Sequence, residues 1–436
     1  MPNCTASKID FGRLGRRVVE ANFLGGSISS DGGLMLLKQV DRRIGLSKAA
    51  SAALLDPRDP DRIRHSLRDL IAQRLYGICC GYEDLNDHDR LRHDPLMQTA
   101  VGKAEELASS PTFSRLETRA TRRDAVALNK VLVEQFIASF ATAPSELILD
   151  IDASDVPLHG EQEQSQFHGY YDHYCYLPLY VFCGQAMLAC LLRPSRIDGA
   201  KHAAAVVKLL VTMLRKAWPE AHLIIRGDSG FCRQRLLCWC ERNRVGYVIG
   251  VARNARLQRR VADWERALEQ HYRDTHVKQR AIHEFPYAAD SWKVERRLIT
   301  RLEFGSQGNN PRFIVTNLKL AADELYDQMY CQRGEAENRI KEAQLDLFGT
   351  RASCHKFHAN WLRLMFAALA YTLMERLRAI ALAHTELARA TSATIRTKLL
   401  KIGASILRNT RRVKIMLASY HPLRQVFLTA ARALAP

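Results

Sequence analysis

The chain has 436 residues, 47% of them hydrophobic, and a formal net charge of +18 from 64 Lys and Arg against 46 Asp and Glu. A chain of this length and apolar content fills two or three domain cores, which excludes a disordered tail; its basic excess points to a polyanion, with nucleic acid ahead of a membrane surface. The longest apolar run, "LMFAALAYTLM", is shorter than the roughly 20 residues that cross a bilayer, and the opening "MPNCTASKIDFGRLGRR" lacks the apolar centre of a secretory signal.

Residues 1 to about 140 carry helical periodicity, as in "HSLRDLIAQRLYGICCG", broken by polar turns such as "LDPRDPDR". A helical N-terminal region over 1–140, with DNA as its partner, is the expectation. Within it "SSPTFSRLE" offers Ser110 as a cap, Pro111 at the first helical position, and Thr112, Ser114 and Arg115 as groups that meet phosphate; an ordinary capped surface helix reads equally well. The 11 cysteines are odd in number and scattered, as in a protein with reduced thiols. No C-x-x-C pair exists, so Cys175, Cys183, Cys190, Cys238 and Cys240 read as inert thiols rather than metal ligands.

At "SELILDID" the period becomes two: Leu147, Leu149 and Ile151 alternate with Ile148, Asp150 and Asp152. Two apolar runs come next, then a helix, the strand "HLIIRGD", a second helix and the strand "GYVIGV". This β-β-β-α-β-α-β order predicts an α/β protein, a mixed sheet with helices on both faces, over 141–251 and 311–350. Residues 252–310 are strongly polar and read as a β-rich insertion before the clean strand "RFIVTNL". After Arg351 the chain reads as helical and basic, with 15 Lys or Arg against only Glu375 and Glu386 in 351–436. There Arg396, Lys398, Lys401, Arg408, Arg411, Arg412 and Lys414 lie on amphipathic stretches, either contacting phosphate or snorkelling along a helix face.

Three carboxylates stand where a sheet protein places its chemistry. Asp152 closes the strand "LILDID" and Asp228 closes "HLIIRGD"; parallel neighbouring strands would bring both to one edge. Asp150 points the same way as Asp152 and is an equal candidate. Glu337 lies on the helix "YCQRGEAENRIKEAQ", where Tyr330, Arg333, Glu337, Lys341 and Gln344 fall on one face beside the apolar stripe Ala336, Ile340, Ala343 and Leu347. Converging carboxylates suit hard divalent cations, and two such ions stabilise both oxygens of an in-line phosphoryl displacement. Paired acids also suit a glycosidase, which leaves the basic charge unexplained.

These elements resemble the DDE transposases of bacterial insertion sequences, and among them the family numbered thirteen-eighty in the group that carries the YREK motif. The resemblance rests on "LDIDASDVPLHG", "GYYDHYCYLPLYVFCG", "IIRGDSGF", "NPRFIVTNL", "YCQRGEAENRIKE", "GYEDLNDHDRLRHDP", "SSPTFSRLE" and "IRTKLLKIGASILRNTRRV", which cover nearly the whole chain in order. It implies a ribonuclease-H-like domain and two Mg²⁺ or Mn²⁺ ions held by Asp152, Asp228 and Glu337. It also implies nicking of inverted-repeat ends, hairpin formation, and transfer into double-stranded target DNA by a homodimer in the bacterial cytoplasm, at the nucleoid. Tyr330 and Arg333 match the motif's phosphate-binding Tyr and Arg. The motif's Lys falls on Gln344, with Lys341 one turn earlier; Trp292 reads as a core aromatic of the insertion or, as the resemblance implies, as a residue that stacks on a flipped base. A non-catalytic regulator of transposition and a stand-alone nuclease are the rival readings.

Overall fold

Along the strand Glu146–Ala153 the predicted alternation decides what lies on each side of the sheet. Leu147, Leu149 and Ile151 turn to a large core built with the helices Arg122–Ala138, Ala203–Ala217, Gln234–Arg242 and Ala255–Thr275. Ile148 turns to a smaller core, where Ile224, Val248 and Ile314 meet Leu325, Tyr326 and Met329. The computed structural model describes residues 8–435; the first seven residues, which open the stretch read for a secretory signal, lie outside them. The chain divides into two compact units, Ala53–Leu55 with Glu117–Thr372 in one, and Met1–Ala52, Asp56–Leu116 and Leu373–Pro436 in the other.

The first of these holds the mixed α/β sheet of nine strands. Its main path runs Gln279–Tyr287, Arg296–Gly305, Arg312–Thr316, Gly246–Val251, His222–Gly227, Glu146–Ala153, Leu179–Cys183 and Ala186–Leu191. The Glu146–Ala153 strand pairs in parallel with His222–Gly227, which pairs in parallel with Gly246–Val251; the outer pairings are antiparallel. Asp150 faces Arg226 across the parallel pair, and both side chains are buried. The Arg226 guanidinium donates to both carboxylate oxygens of Asp150, through Nε and Nη2, and through Nη1 to the Met329 carbonyl.

Residues 252–310 differ from the β-rich insertion expected of them. Their first part is the 21-residue helix Ala255–Thr275, begun by the Asn254 side chain, which accepts from the Leu257 amide. Leu257 and Val261 are buried, and Trp264 and Leu268 pack against the same core, a helical spacing hidden by the charged residues between them. The two long strands after this helix form a hairpin that extends the same sheet through Arg312–Thr316.

The other unit joins the two ends of the chain, which the sequence presents as separate regions. Its helices Leu34–Ile44, Leu67–Cys79 and Pro95–Val101 bear out helical periodicity, and Ser66 and Asp69 form a capping box. Strands occur as well, as the ribbon Ile9–Leu14 with Arg17–Ala21 and as a three-stranded sheet of Ile28–Ser29, Ala404–Arg408 and Val413–Leu417. The amphipathic stretch at 404–417 is therefore a hairpin, not a helix: Ile406, Val413 and Ile415 are β-branched, and the Asn409 carboxamide accepts from the Arg411 and Arg412 amides in the turn. Gly32 and Gly33 amides donate to the carbonyls of Ile402 and Leu400 at 2.7 and 3.0 Å, and Lys401 pairs with buried Asp31 at 2.7 Å. A Cβ on Gly33 would lie 2.1 Å from the Leu399 carbonyl oxygen, so only glycine permits this approach.

Both contacts can be weighed by substitution. Asp150→Ala strands the Arg226 charge in the sheet and should cost about 3–5 kcal/mol, read from the urea midpoint. Gly33→Ala should cost about 1–3 kcal/mol through overpacking against backbone; an unchanged midpoint would show that the contact with Leu399 yields freely.

Candidate active site

The parallel register Ile225↔Leu149, Arg226↔Asp150, Gly227↔Ile151 carries forward to Asp228 and Asp152, which leave the two strands at the same edge. Asp152 ends its strand with its carboxylate accepting from the Ala153 amide at 2.9 Å. Asp228 is half-buried and accepts from the Gly230 amide at 2.9 Å, so it forms the turn that the "GDSG" sequence suggests and also stands beside Asp152. Geometry favours Asp152 over Asp150 as the available acid, since Arg226 occupies both oxygens of Asp150 while Asp152 accepts from the Ala153 amide and lies a longer 3.4 Å from Arg333.

Glu337 arrives on a helical run that continues from Glu324 to Asp346 through changes of pitch. A π-helical turn over Glu324–Tyr330 gives way to a tight 3₁₀ turn at Cys331–Arg333, an α segment Gly334–Lys341 and a second π turn at Glu342–Asp346. Gly334 has ordinary right-handed helical angles, φ −54° and ψ −24°, so it does not break the run, and Tyr330 and Arg333 stay on the helix that bears Glu337. Ala336, Ile340, Ala343 and Leu347 are all buried, as their spacing predicts.

Arg333 bridges two of the three acids. Its guanidinium lies 3.4 Å from Asp152 Oδ2 and 2.7 Å from Glu337 Oε1. Burial alone would lower the Arg333 pKa, but Asp152, then Glu337, Tyr330 and Asp228, override it and hold it raised. Asp152 is pushed up to about 7, chiefly by burial; Arg333 opposes the shift, while Asp228 and Glu337 add to it. Tyr330 is likewise raised by burial and by Asp228, against Arg333, so its hydroxyl stays protonated. That hydroxyl lies 2.6 Å from where a Cβ on Gly250 would stand, so the glycine makes room for the ring tip beside the Asp228–Ser229 backbone.

Asp152, Asp228 and Glu337 are oxygen donors of the kind a divalent cation takes, and Asp228 and Glu337 both add to the burial that raises Asp152. Among the described residues, however, no three His, Cys, Asp or Glu side chains are assembled so as to hold a metal ion. Arg333 supplies the physical reason, because its guanidinium takes the position of positive charge between Asp152 and Glu337.

Other expected residues fall elsewhere. Lys341 is exposed, whereas Gln344 is buried; its amide donates to the Asp155 carbonyl at 2.9 Å and its carbonyl accepts from Ser154 Oγ at 3.3 Å. The two therefore do not share the face that uniform α pitch predicts, because the π turn begins between them. Of its two readings Trp292 takes that of a core aromatic: it is 9% exposed and belongs to the large core, edge-on to Tyr287 and under the Arg296 guanidinium. Its indole would have to leave that core to meet a base. Arg115, Arg411 and Arg412 are exposed and lie in the other unit, the last two at the hairpin tip. In that unit Arg396, Lys401 and Arg408 serve the fold, bonded to the Cys79 carbonyl, Asp31 and Gln98. Neither Arg226 nor Gly250 stands out by motif or spacing; a lone Arg in the apolar run "HLIIRG" is the available signal for the first, and nothing local marks the second.

Comparisons with known proteins bear on this geometry. No curated protein matches the chain. Among solved structures, a cryo-EM structure of the piggyBac transposase synaptic complex with hairpin DNA is similar at 10% identity and a TM-score of 0.39, covering 85% of this chain and 80% of that one. No helix of the described residues is long and apolar enough to cross a membrane. A family model described as transposase DDE domain group 1 matches residues 11–436. That match spans almost the entire sequence and both units, and the chain belongs to the DDE transposase family it describes.

Proposed function

We propose that this transposase is a cut-and-paste enzyme of the thirteen-eighty family in the YREK group, with a ribonuclease-H-like core, acting on inverted-repeat ends in the bacterial cytoplasm as a homodimer. The observation that carries the reading is the pair Asp152 and Asp228 at the ends of two parallel strands, with Glu337 brought to Asp152 through Arg333. An antiparallel meander on one side of the Asp152 strand and two parallel strands on the other support the ribonuclease-H-like assignment.

Asp152, Asp228 and Glu337 would hold two Mg²⁺ or Mn²⁺ ions, which supply charge stabilisation to the attacking and leaving oxygens of a phosphodiester. Arg333 then turns its forked donors to the phosphate in place of the carboxylates, and protonated Tyr330 donates a hydrogen bond to the same group. Water attacks phosphorus, the bond to the 3′ oxygen breaks, and the 3′-hydroxyl so freed attacks the opposite strand and, after reopening, target DNA. The exposed Arg115, Arg411 and Arg412, with Lys398 and Lys414, offer DNA phosphates contacts of the other unit.

Purified protein incubated with its element's ends and Mg²⁺ or Mn²⁺ should yield nicked, hairpin and joined products on a denaturing gel. Binding without any metal-dependent product would leave a regulator, and nicks that never join would leave a nuclease. Asp228→Ala and Glu337→Ala should each lower cleavage by about a thousandfold, since such ligands supply several kcal/mol of transition-state stabilisation, with DNA affinity nearly unchanged.

Asp152 also makes stability depend on pH. Its folded pKa of about 7 exceeds the ordinary aspartate value of 3.8, so the folded state binds the proton more tightly and loses stability as pH rises from about 4 through about 7. Without divalent ions, Asp152→Asn should therefore match the wild type near pH 4 and exceed it at pH 8 by a few kcal/mol, because each tenfold gain in proton affinity corresponds to about 1.4 kcal/mol. Added Mg²⁺ should raise the wild-type midpoint at pH 8 and leave that of Asp152→Asn nearly unmoved; equal responses would remove Asp152 from the ligand set.

A further inference from the structure

After Asp152 the chain forms a small sheet of Val156–Pro157, Gln166–His168 and His173–Tyr176. Its longer hairpin is anchored on one side and bare on the other. Cys175 and Tyr176 are buried, and the Tyr176 hydroxyl donates to the Glu163 carbonyl at 2.6 Å. His173 Nε2 lies 2.8 Å from the Asp155 carboxylate, and Gln344 bonds the Asp155 carbonyl, so the hairpin is tied to the helix that carries Glu337. On the bare side Phe167 and Tyr174 are cross-strand partners, 53% and 55% exposed, with ring centroids 5.7 Å apart. Tyr170, at the tip, is 85% exposed and stands edge-on to Tyr171 at 5.0 Å. Tyr171 turns back toward the acids: burial raises its hydroxyl to about 12, and Asp155 and then Asp152 add to the shift.

Exposing this many large rings on one anchored hairpin costs free energy unless a ligand covers them. In each edge-to-face pair one ring covers a face of the other, but the exposure of Phe167, Tyr170 and Tyr174 leaves further faces open to solvent, and open faces beside the proposed phosphoryl-transfer site match nucleobases. A base inside a duplex already has both faces stacked, so only an unpaired base has a face to offer. We propose that Tyr170, Tyr171, Phe167 and Tyr174 form a stacking platform that holds unpaired nucleotides of the DNA end next to the reacting phosphate. The platform rests on the transposase reading and takes a role that buried Trp292 is not placed to fill.

The test uses the full-length protein in EDTA, which stops cleavage. Two DNA probes of the element's end are titrated, a blunt duplex and the same duplex with a short 3′ single-stranded extension containing 2-aminopurine. The wild type should bind the extended probe more tightly and change its fluorescence. Tyr170→Ala and Phe167→Ala should each lose roughly tenfold of that preference, the size expected for one stacked base, with blunt-duplex affinity within about twofold. Tyr170→Trp should retain the preference and Tyr170→Leu should not, which separates stacking from simple apolar cover. Unchanged preference in the alanine variants overturns the platform while leaving the transposase reading intact. Failure of the wild type to bind either probe overturns both. A Tyr170→Ala effect on the sedimenting mass rather than on DNA preference would assign the surface to a second copy of the chain and overturn the platform.

Discussion

One guanidinium ties together the three elements on which the acidic site is built. Arg226 stands near the end of the central strand His222–Gly227, takes both oxygens of Asp150 on the neighbouring strand, and reaches the Met329 carbonyl in the first π turn of the run that bears Tyr330, Arg333 and Glu337. A buried ion pair of this kind adds little net stability compared with an apolar pair, but it is specific. A slip by one residue would send Asp150 and Asp152 to the apolar face and leave both charges unpaired. The arrangement that sets Asp152 against Asp228 is thus enforced by a residue that takes no part in the proposed chemistry.

The site is an acidic point in a protein with a large basic excess. Asp228 and Glu337 both bear on Asp152, and Arg333 pairs with Asp152 and Glu337 against that charge. One Arg carries a single positive charge against three carboxylates, and it does not offset the burial that raises Asp152. Further positive charge is therefore favoured at this position, which fits the expected cation chemistry of the family. Tyr330 is kept neutral by the same burial, as a donor rather than a charge.

Much of this is legible in the sequence because period and strand ends are strong signals. The alternation in "LILDID" separates the two faces of its strand as the structure does, and the β-β-β-α-β-α-β order is that of the sheet. The apolar stripe from Ala336 to Leu347 is readable from spacing alone. The features that escape depend on partners distant in sequence. Asp150 and Asp152 are indistinguishable until Arg226, 76 residues away, claims the first. Lys341 and Gln344 share a face only at uniform pitch, and nothing local in sequence announces a π turn. The helix Ala255–Thr275 is concealed by charge density, and the hairpin at 404–417 by basic residues that suit either a helix or a strand.

The changes of pitch along Glu324–Asp346 carry a consequence for how this chain can vary. A π turn accommodates one more residue per turn than the ladder around it, and each residue rotates the remainder of the helix by about 100°. Two such turns bracket the segment that holds Arg333 and Glu337, with a tight turn between them. Removing or adding a single residue in this run would swing Glu337 away from Arg333 and Asp152 while leaving the helix intact. The number of residues between Glu324 and Glu337 is therefore fixed by the meeting of Arg333 with Asp152 and Glu337 rather than by the stability of the helix itself.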